Sequence, residues 1–216
     1  MLIHFGQPWR HLHAVVPGWI ASVLGLCYGP LWFAQWFGFV LLAAFLPNDR
    51  LRIRYLFSFA ATLLLLGTVL RAAGASAGPI FYDRMFGGDR FADLTAALAS
   101  IPSGAMTLGT SDYLYASYTD NSAVFGVGIS AMPSIHVAMA FLNALFLSSL
   151  NRRLGIVGWT YAASILFGSV YFGWHYALDG YVSIVGVLLI WRWASHLAHS
   201  DDADQRAFAA SGGERR

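Results

Sequence analysis

The sequence predicts an all-α fold, a polytopic transmembrane helical bundle with five to six spans. Of the 216 residues, 57% are hydrophobic and only 11% are charged, whereas soluble domains carry about a quarter charged residues. Apolar stretches of about 20 residues, the length that crosses the hydrocarbon core of a bilayer, recur along the chain. The formal net charge of +2 is too small to indicate a nucleic-acid partner.

Five apolar stretches give the order of the predicted spans. They are residues 28–46, 55–73, 133–150, 155–174 and 176–194. Tryptophans lie near the ends of several of them, as in the aromatic belts at membrane–water interfaces. Because successive spans alternate in direction, the start of the third, the end of the fourth and the start of the fifth are expected on the same side of the membrane.

Three regions of different composition follow from these spans. Residues 1–27 are expected to be an interfacial or partial span segment, because their apolar part, 15–26, is too short to cross a bilayer. Residues 28–198 are expected to form the membrane-embedded domain. Residues 199–216 are polar and rich in Gly and Ala, and they are expected to be a disordered cytoplasmic tail.

The arginines predict the orientation of the bundle. All 13 basic residues are arginine, and cytoplasmic loops of membrane proteins carry an excess of basic residues. The arginines on one side of the predicted bundle are Arg50, Arg52, Arg54, Arg152, Arg153, Arg192 and Arg206. That side is therefore expected to be cytoplasmic, with residues 74–132 outside. The composition is typical of a high-GC bacterium, so we expect an inner (cell) membrane and a site that faces the periplasm.

Three ionisable residues are predicted to meet at the outer ends of the last three spans. His136 lies one turn into the third span, His175 at the end of the fourth and Asp179 one turn into the fifth. Ionisable residues inside spans are costly and usually functional. A carboxylate beside a histidine fixes its tautomer and strengthens it as a base or nucleophile, and a second histidine can serve as a general acid.

The stretch "MPSIH", at residues 132–136, predicts an anion-binding site at the start of the third span. Pro133 suits the first turn of a helix, where no backbone N–H is needed. The free N–H groups around Ser134 would then point outward, and helix N-termini of this kind bind phosphate readily. Ser134 adds a hydroxyl to this cradle, and His136 adds an acid.

Each of these residues alone has a simpler explanation. His136 could be part of a capped helix start, and His175 could be an interfacial histidine. Two histidines and a carboxylate could also bind zinc, although no H-x-x-x-H or H-E-x-x-H pattern supports such a site. The meeting of all three groups at one depth favours an active site over these alternatives.

Two stretches resemble the motifs of the type 2 phosphatidic acid phosphatase superfamily. Residues 133–136, "PSIH", resemble the motif P-S-G-H, and residues 168–179, "GSVYFGWHYALD", resemble S-R-x-x-x-x-x-H-x-x-x-D. His136 falls on the histidine of the first of these motifs. His175 and Asp179 fall on the histidine and the aspartate of the second, so the resemblance runs from the third span to the fifth.

The sequence also departs from that pattern. It has no lysine, so the usual first motif, K-x-x-x-x-x-x-R-P, is incomplete. Ile135 replaces the glycine of P-S-G-H, and Gly168 and Ser169 stand where S-R is expected. The inositolphosphotransferase-like branch, which includes the inositol phosphorylceramide synthases, shares these losses, and "SAGPIFYDR" (76–84) is similar to a segment of its bacterial members. The chain resembles that branch, whose members are usually longer at the N-terminus, so we expect that an early span is missing.

The resemblance implies a lipid phosphatase or phosphotransferase that works through a phosphohistidine. His175 would take the phosphoryl group, Asp179 would hold its ring, and His136 would protonate the leaving oxygen. The outside stretch supplies Arg71, Arg84 and Arg90 as possible replacements for the missing cations in binding phosphate. Arg84, or Arg90 after it, is favoured, although either could be a solvated loop charge. The resemblance implies no metal and no other cofactor.

The expected substrate is a phospholipid or an isoprenoid-type phosphate within the bilayer, and water or an alcohol such as inositol would accept the transferred group. An inositolphosphotransferase-type head-group transferase proper is one alternative. A non-catalytic binding protein or pseudoenzyme of the same fold is another, because the motif lysine and arginine are missing. A proton-coupled transporter is disfavoured, since its charges are expected near the middle of the membrane.

Overall fold

The computed structural model describes residues 7–120 and 129–212, and their side chains as far as residue 197. Throughout these residues the regular secondary structure is helical, with one isolated antiparallel bridge between Ala77 and Ser130. The prediction of an all-α fold is therefore confirmed.

The helices follow one another along the described part of the chain. They are α1 (Pro8–Val15), α2 (Gly18–Tyr28), α3 (Pro30–Ala44), α4 (Asp49–Ala61), the π-helical stretch π1 (Thr62–Leu70), α5 (Arg71–Ala73), α6 (Pro79–Phe86), α7 (Ala92–Ala99), α8 (Pro102–Thr119), α9 (Ile135–Leu150), α10 (Arg152–Tyr171) and α11 (Ala177–Gly212). Because α4, π1 and α5 are continuous, they form one helical segment.

Four of the described segments are long and apolar enough to cross a membrane. They are Gly18–Ala44, Asp49–Ala73, Arg152–Tyr171 and Ala177–Leu197. Helix α9 is also apolar but shorter. These five segments overlap the five predicted spans and agree with a polytopic helical bundle.

Large apolar side chains cover the outward face of α3. Phe33, Phe37 and Leu41 are 57%, 68% and 58% exposed, and residues four apart lie on one face of a helix. Soluble proteins rarely expose a continuous apolar surface of this kind. The surface is suited to contact with lipid tails.

The first membrane segment begins earlier than the sequence indicates. α2 and α3 join into one apolar segment that starts at Gly18, so most of the stretch 15–26 belongs to a segment long and apolar enough to cross a membrane. The two helices meet at Gly29, because Pro30 has no N–H to continue the hydrogen-bond pattern of α2. Helix α1 packs against the end of α10, where His13 Nε2 lies 2.8 Å from the Tyr171 carbonyl oxygen.

The region predicted as an outside loop, residues 74–132, contains the helices α6, α7 and α8, which we call the cap. Pro79 and Pro102 occupy the first turns of α6 and α8, where a missing N–H costs no hydrogen bond. The Arg84 guanidinium pairs with the Asp112 carboxylate at 2.5 Å and joins α6 to α8.

Two helix boundaries differ from the prediction. α9 begins after Ser134, its N-cap, so Pro133 precedes the helix instead of occupying its first turn. α11 continues to Gly212 and includes much of the stretch predicted as a disordered tail. That stretch is rich in alanine, the strongest helix former, which accounts for its helical backbone.

A hydrogen-bonded polar group links three helices inside the bundle. The Tyr55 hydroxyl of α4 donates to the Asn143 side-chain oxygen of α9 at 2.7 Å. The Asn143 amide nitrogen donates to the Gln35 side-chain oxygen of α3 at 2.9 Å, and all three residues are buried. Within a bilayer such bonds hold helices together, because water is not there to replace them.

The Asn143→Ala variant is expected to lower the free energy of unfolding by about 1–3 kcal/mol, because the Tyr55 hydroxyl and Gln35 lose their partner. Thermal unfolding of the detergent-solubilised protein measures the loss. In the Asn143→Ala/Tyr55→Phe double variant, the combined loss should be smaller than the sum of the two single losses, because the two residues share one hydrogen bond. Strictly additive losses would show that this bond contributes nothing to stability.

Candidate active site

His175 lies in a tight turn between α10 and α11. Gly173 adopts a φ of +71°, a left-handed conformation that favours glycine, and a Cβ at this position would come within 2.5 Å of the Leu94 side chain. The turn brings the His175 backbone N–H to the Ser169 carbonyl oxygen at 3.1 Å. His175 is only 8% exposed, so its ring is largely removed from water.

The stretch between α5 and α6, residues 74–78, packs between the turn that carries His175 and the residues that precede α9. The Ala131 N–H donates to the Ser76 carbonyl oxygen at 2.6 Å. Gly78 lies so close to the turn that a Cβ would be 2.1 Å from the Trp174 carbonyl oxygen. A side chain at position 78 would therefore push the turn that carries His175 away from the start of α9.

A backbone carbonyl holds the His175 ring. Its Nδ1 atom lies 2.7 Å from the Ala131 carbonyl oxygen. Because a carbonyl oxygen only accepts, Nδ1 carries the proton and donates, and Nε2 keeps its lone pair. Asp179 Oδ2 lies 3.8 Å from Nδ1, which is beyond a hydrogen bond, so the carboxylate lies beside the ring without bonding to it.

Asp179 is held by backbone and side-chain bonds at the start of α11. Its carboxylate accepts a hydrogen bond from the Tyr176 backbone N–H at 2.8 Å, as a side chain does when it reaches back to the beginning of its own helix. Its carbonyl oxygen accepts from the Ser183 hydroxyl at 2.8 Å and from the Ser134 N–H at 3.3 Å. Asp179 is only 3% exposed, so its charge stays beside His175.

His136 lies in the first turn of α9, between two aromatic rings. Its ring stacks on Tyr28, with centroids 4.4 Å apart and planes 4° apart, and on Trp32, at 3.9 Å and 22°. Trp32 Nε1 also donates to the His136 carbonyl oxygen at 3.2 Å. The ring centroids of His136 and His175 are 6.0 Å apart, so the two histidines lie beside each other.

Burial lowers the pKa of His175 to about 4, because the charged ring is deprived of water. The hydrogen bond to Ala131 raises this pKa, and the guanidinium of Arg71 lowers it. His175 is therefore neutral at physiological pH, which is the form whose Nε2 can act as a nucleophile.

Arg71, at the end of the second membrane segment, interacts electrostatically with both histidines. It lines a cavity of about 550 Å³ together with Ser76, Met85, Phe86, Ile129 and Ser130. In the part of the chain that the structure describes, its guanidinium forms no ion pair with a carboxylate. A half-buried cation without a carboxylate partner favours the binding of an anion.

The two arginines favoured by the sequence have contacts within the cap. Arg84 pairs with Asp112 and lies over the Tyr115 ring, 5.6 Å from its centroid. Arg90 lies over the Tyr82 ring at 5.3 Å. Arg71 interacts electrostatically with both histidines, and the phosphate-binding roles of Arg84 and Arg90 stay predictions.

Ser134 is the N-cap of α9, two residues before His136. Its hydroxyl accepts a hydrogen bond from the Val137 N–H at 3.4 Å, and the residue is fully buried. Ser134 thus fixes the turn that carries His136. Its role in binding phosphate stays a prediction.

The zinc alternative would have to use Nε2 of His175, because Nδ1 is engaged by the Ala131 carbonyl. Among the described residues, no group of three or more His, Cys, Asp or Glu side chains is arranged to hold a metal ion.

Residues 2–193 match the sequence model of the PAP2 superfamily. The chain belongs to the PAP2 superfamily. The resemblance of its motifs to the type 2 phosphatidic acid phosphatases is thereby confirmed at the level of the superfamily. No curated protein and no solved structure gave a significant match to the chain.

The spacing of the PAP2 motif K-x-x-x-x-x-x-R-P is the sequence feature that points to Arg71 as the replacement for the motif lysine. Arg71, Gly78 and Pro79 have the spacing of its lysine, arginine and proline, with a cation only at the first position. A search for lysine misses this match, so Arg84 and Arg90 are favoured over Arg71 in the sequence analysis. The structure explains why glycine occupies position 78 in place of the motif arginine. The backbone of Gly78 lies against the turn that carries His175.

We expect His175 to titrate near pH 4, below the ordinary value of 6.5. Arg71→Gln should raise this pKa, because a neighbouring positive charge is removed, whereas Arg84→Gln removes a cation that is paired with Asp112 and should leave it unchanged. NMR titration of isotope-labelled histidines in detergent micelles, assigned with His175→Gln, measures the effect. An unchanged pKa in Arg71→Gln would place that guanidinium out of electrostatic range of the ring.

Proposed function

We propose that this protein cleaves or transfers a phosphate ester of a membrane lipid through a phosphohistidine at His175. Its PAP2 membership and its apolar helices support a membrane phosphatase-type protein. The observation that carries the proposal is the 2.7 Å hydrogen bond from His175 Nδ1 to the Ala131 carbonyl. That bond leaves Nε2 unprotonated on a ring that faces a second histidine, His136, across 6.0 Å.

In the first step, Nε2 of His175 attacks the phosphorus, and the bond between phosphorus and the leaving oxygen breaks. His136 gives its proton to that oxygen, so an alcohol leaves and the phosphoryl group remains on His175. The anionic phosphate stabilises the protonated His136 ring before the transfer. Asp179 stabilises the positive charge that develops on the His175 ring.

In the second step, a hydroxyl group attacks the phosphohistidine. His136, now neutral, takes the proton of the attacking group while the N–P bond breaks, which restores both histidines. If water attacks, the product is inorganic phosphate; if an alcohol such as inositol or a lipid hydroxyl attacks, it is a new ester. Gly168 and Ser169 support transfer, because the inositolphosphotransferase-like branch shares this departure from the S-R pattern.

The cavity beside Arg71 supports a lipid substrate. Met85, Phe86 and Ile129 in its lining suit an acyl or isoprenoid chain. The guanidinium of Arg71 suits the phosphate at the end of that chain. Because phosphoryl transfer depends mainly on positioning and on the stabilisation of charge, this arginine can take the role of the motif lysine.

We further propose that the histidine end of the bundle faces the periplasm of a bacterial inner membrane. Arginines gather near the opposite helix ends, at the start of α4 and the start of α10. Such clusters favour the cytoplasmic side. The substrate phosphate would then be processed at the outer surface of the membrane.

Purified protein in detergent is expected to release phosphate or to transfer a head group from radiolabelled phospholipids, and to do so in the presence of EDTA. His175→Ala should reduce the rate by about 10⁴-fold or more, because the nucleophile is lost. His196→Ala, a histidine near the other end of the apolar part of α11, is the matched control and should keep full activity. Equal rates for His175→Ala and wild type, or no activity on any lipid, would contradict the proposal and favour a non-catalytic binding protein.

Arg71→Gln is expected to lower kcat/KM by about 10²- to 10³-fold, because it removes a cation that stabilises charge in the transition state. Arg84→Gln should change kcat/KM much less, since its cation is paired with Asp112. Steady-state kinetics of both variants on the same lipid phosphate give the comparison. A larger loss in Arg84→Gln would assign the phosphate-binding role to Arg84.

A further inference from the structure

Tyr28, at the end of α2, has a buried hydroxyl without a hydrogen-bond partner in the described part of the chain. The residue is 5% exposed, and its Oη atom is buried. Burying a hydroxyl without a partner is costly, and in an enzyme such an atom calls for an explanation such as a ligand. The Tyr28 ring lies parallel to the His136 ring at 4.4 Å, so this side chain belongs to the candidate active site.

A second interaction connects the hydroxyl itself to the site. The Tyr28 hydroxyl lies within electrostatic range of the Asp179 carboxylate. Tyr28 therefore contacts one member of the site through its ring and interacts with another through its hydroxyl. Gln35 Nε2, another buried atom without a partner, belongs instead to the polar group around Asn143.

The Tyr28 ring occupies space that a motif side chain would need. A Cβ at Gly168 would lie 3.2 Å from Tyr28 Cδ2, which is closer than ordinary van der Waals contact. Gly168 stands where the superfamily pattern has serine, next to Ser169 at the position of the missing arginine. Phe172 lies on another side of the ring, at 6.0 Å between centroids, so the packing fixes the tyrosine in place.

We propose that the Tyr28 hydroxyl donates a hydrogen bond to a phosphoryl oxygen of the bound substrate and takes over part of the role of the missing motif arginine. The inference rests on the proposed function. Tyr28 is then a catalytic residue, because it touches the reacting group, and α2 is part of the active site. The bond strengthens as negative charge develops on the oxygen, and no proton is transferred.

Orthovanadate, which mimics the transferred phosphoryl group, provides a binding test that does not require turnover. Tyr28→Phe keeps the ring on His136 and removes only the hydroxyl. We expect it to bind orthovanadate about 10-fold more weakly or worse, and to lower kcat/KM by about 10- to 100-fold. The matched control is Tyr55→Phe, which loses a buried hydroxyl bonded to Asn143; it should lower thermal stability but leave vanadate affinity unchanged.

The outcomes separate this inference from the proposed function. If wild type binds vanadate and turns over lipid, and Tyr28→Phe does both equally well, the Tyr28 inference is wrong and the proposed function stands. If wild type neither binds vanadate nor turns over lipid, both are wrong. Weaker binding in Tyr28→Phe with normal thermal stability and an unchanged Tyr55→Phe control would support the inference.

A fluorinated tyrosine provides a readout if Tyr28→Phe fails to fold. Fluorotyrosine incorporated only at position 28 keeps both the ring and the hydroxyl. Addition of orthovanadate should shift its fluorine resonance, and the shift should saturate at the same vanadate concentration as binding. A resonance that stays in place while vanadate binds would overturn the inference.

Discussion

The hydrogen bond between His175 Nδ1 and the Ala131 carbonyl, at 2.7 Å, connects the chain segments that form the candidate site. Ala131 is itself held by the Ser76 carbonyl, so the bond depends on the packing of three distant parts of the chain. It sets the tautomer of the ring and leaves Nε2 as the nitrogen that would attack phosphorus under the proposed function. Because a carbonyl oxygen has no proton to lose, this arrangement persists over the whole pH range in which the ring is neutral.

Burial strengthens the electrostatic interactions around this hydrogen bond. His175 and Asp179 are almost removed from water, and electrostatic interactions strengthen where water is excluded. Arg71 adds a positive charge that the described carboxylates do not neutralise, whereas Arg84 is neutralised by Asp112 within the cap. Under the proposed function, the Arg71 guanidinium would bind the phosphate and stabilise the negative charge that develops on it.

The apolar helices, and the ionisable residues near their ends, can be predicted from the sequence. His136, His175 and Asp179 can be predicted as site residues, because each places an ionisable group near the end of an apolar stretch. The role of Ala131 cannot be predicted from the sequence, because this residue contributes only a backbone carbonyl. Tyr28 is also missed, because a tyrosine at a span end is ordinary and its stacking on a histidine is a tertiary contact. Two of the three cap helices, α6 and α8, begin with a proline, but the packing of the cap arises only from tertiary contacts.

The site of phosphorylation within the imidazole ring tests the central claim most directly. The protein would be quenched in alkali during turnover of a radiolabelled lipid phosphate, and the labelled peptides would be analysed by mass spectrometry and phosphorus NMR. The geometry predicts a phosphoryl group on His175, attached to Nε2, because Nδ1 is engaged by the Ala131 carbonyl. Attachment at Nδ1, label on another residue, or turnover without any phosphoenzyme would contradict the account.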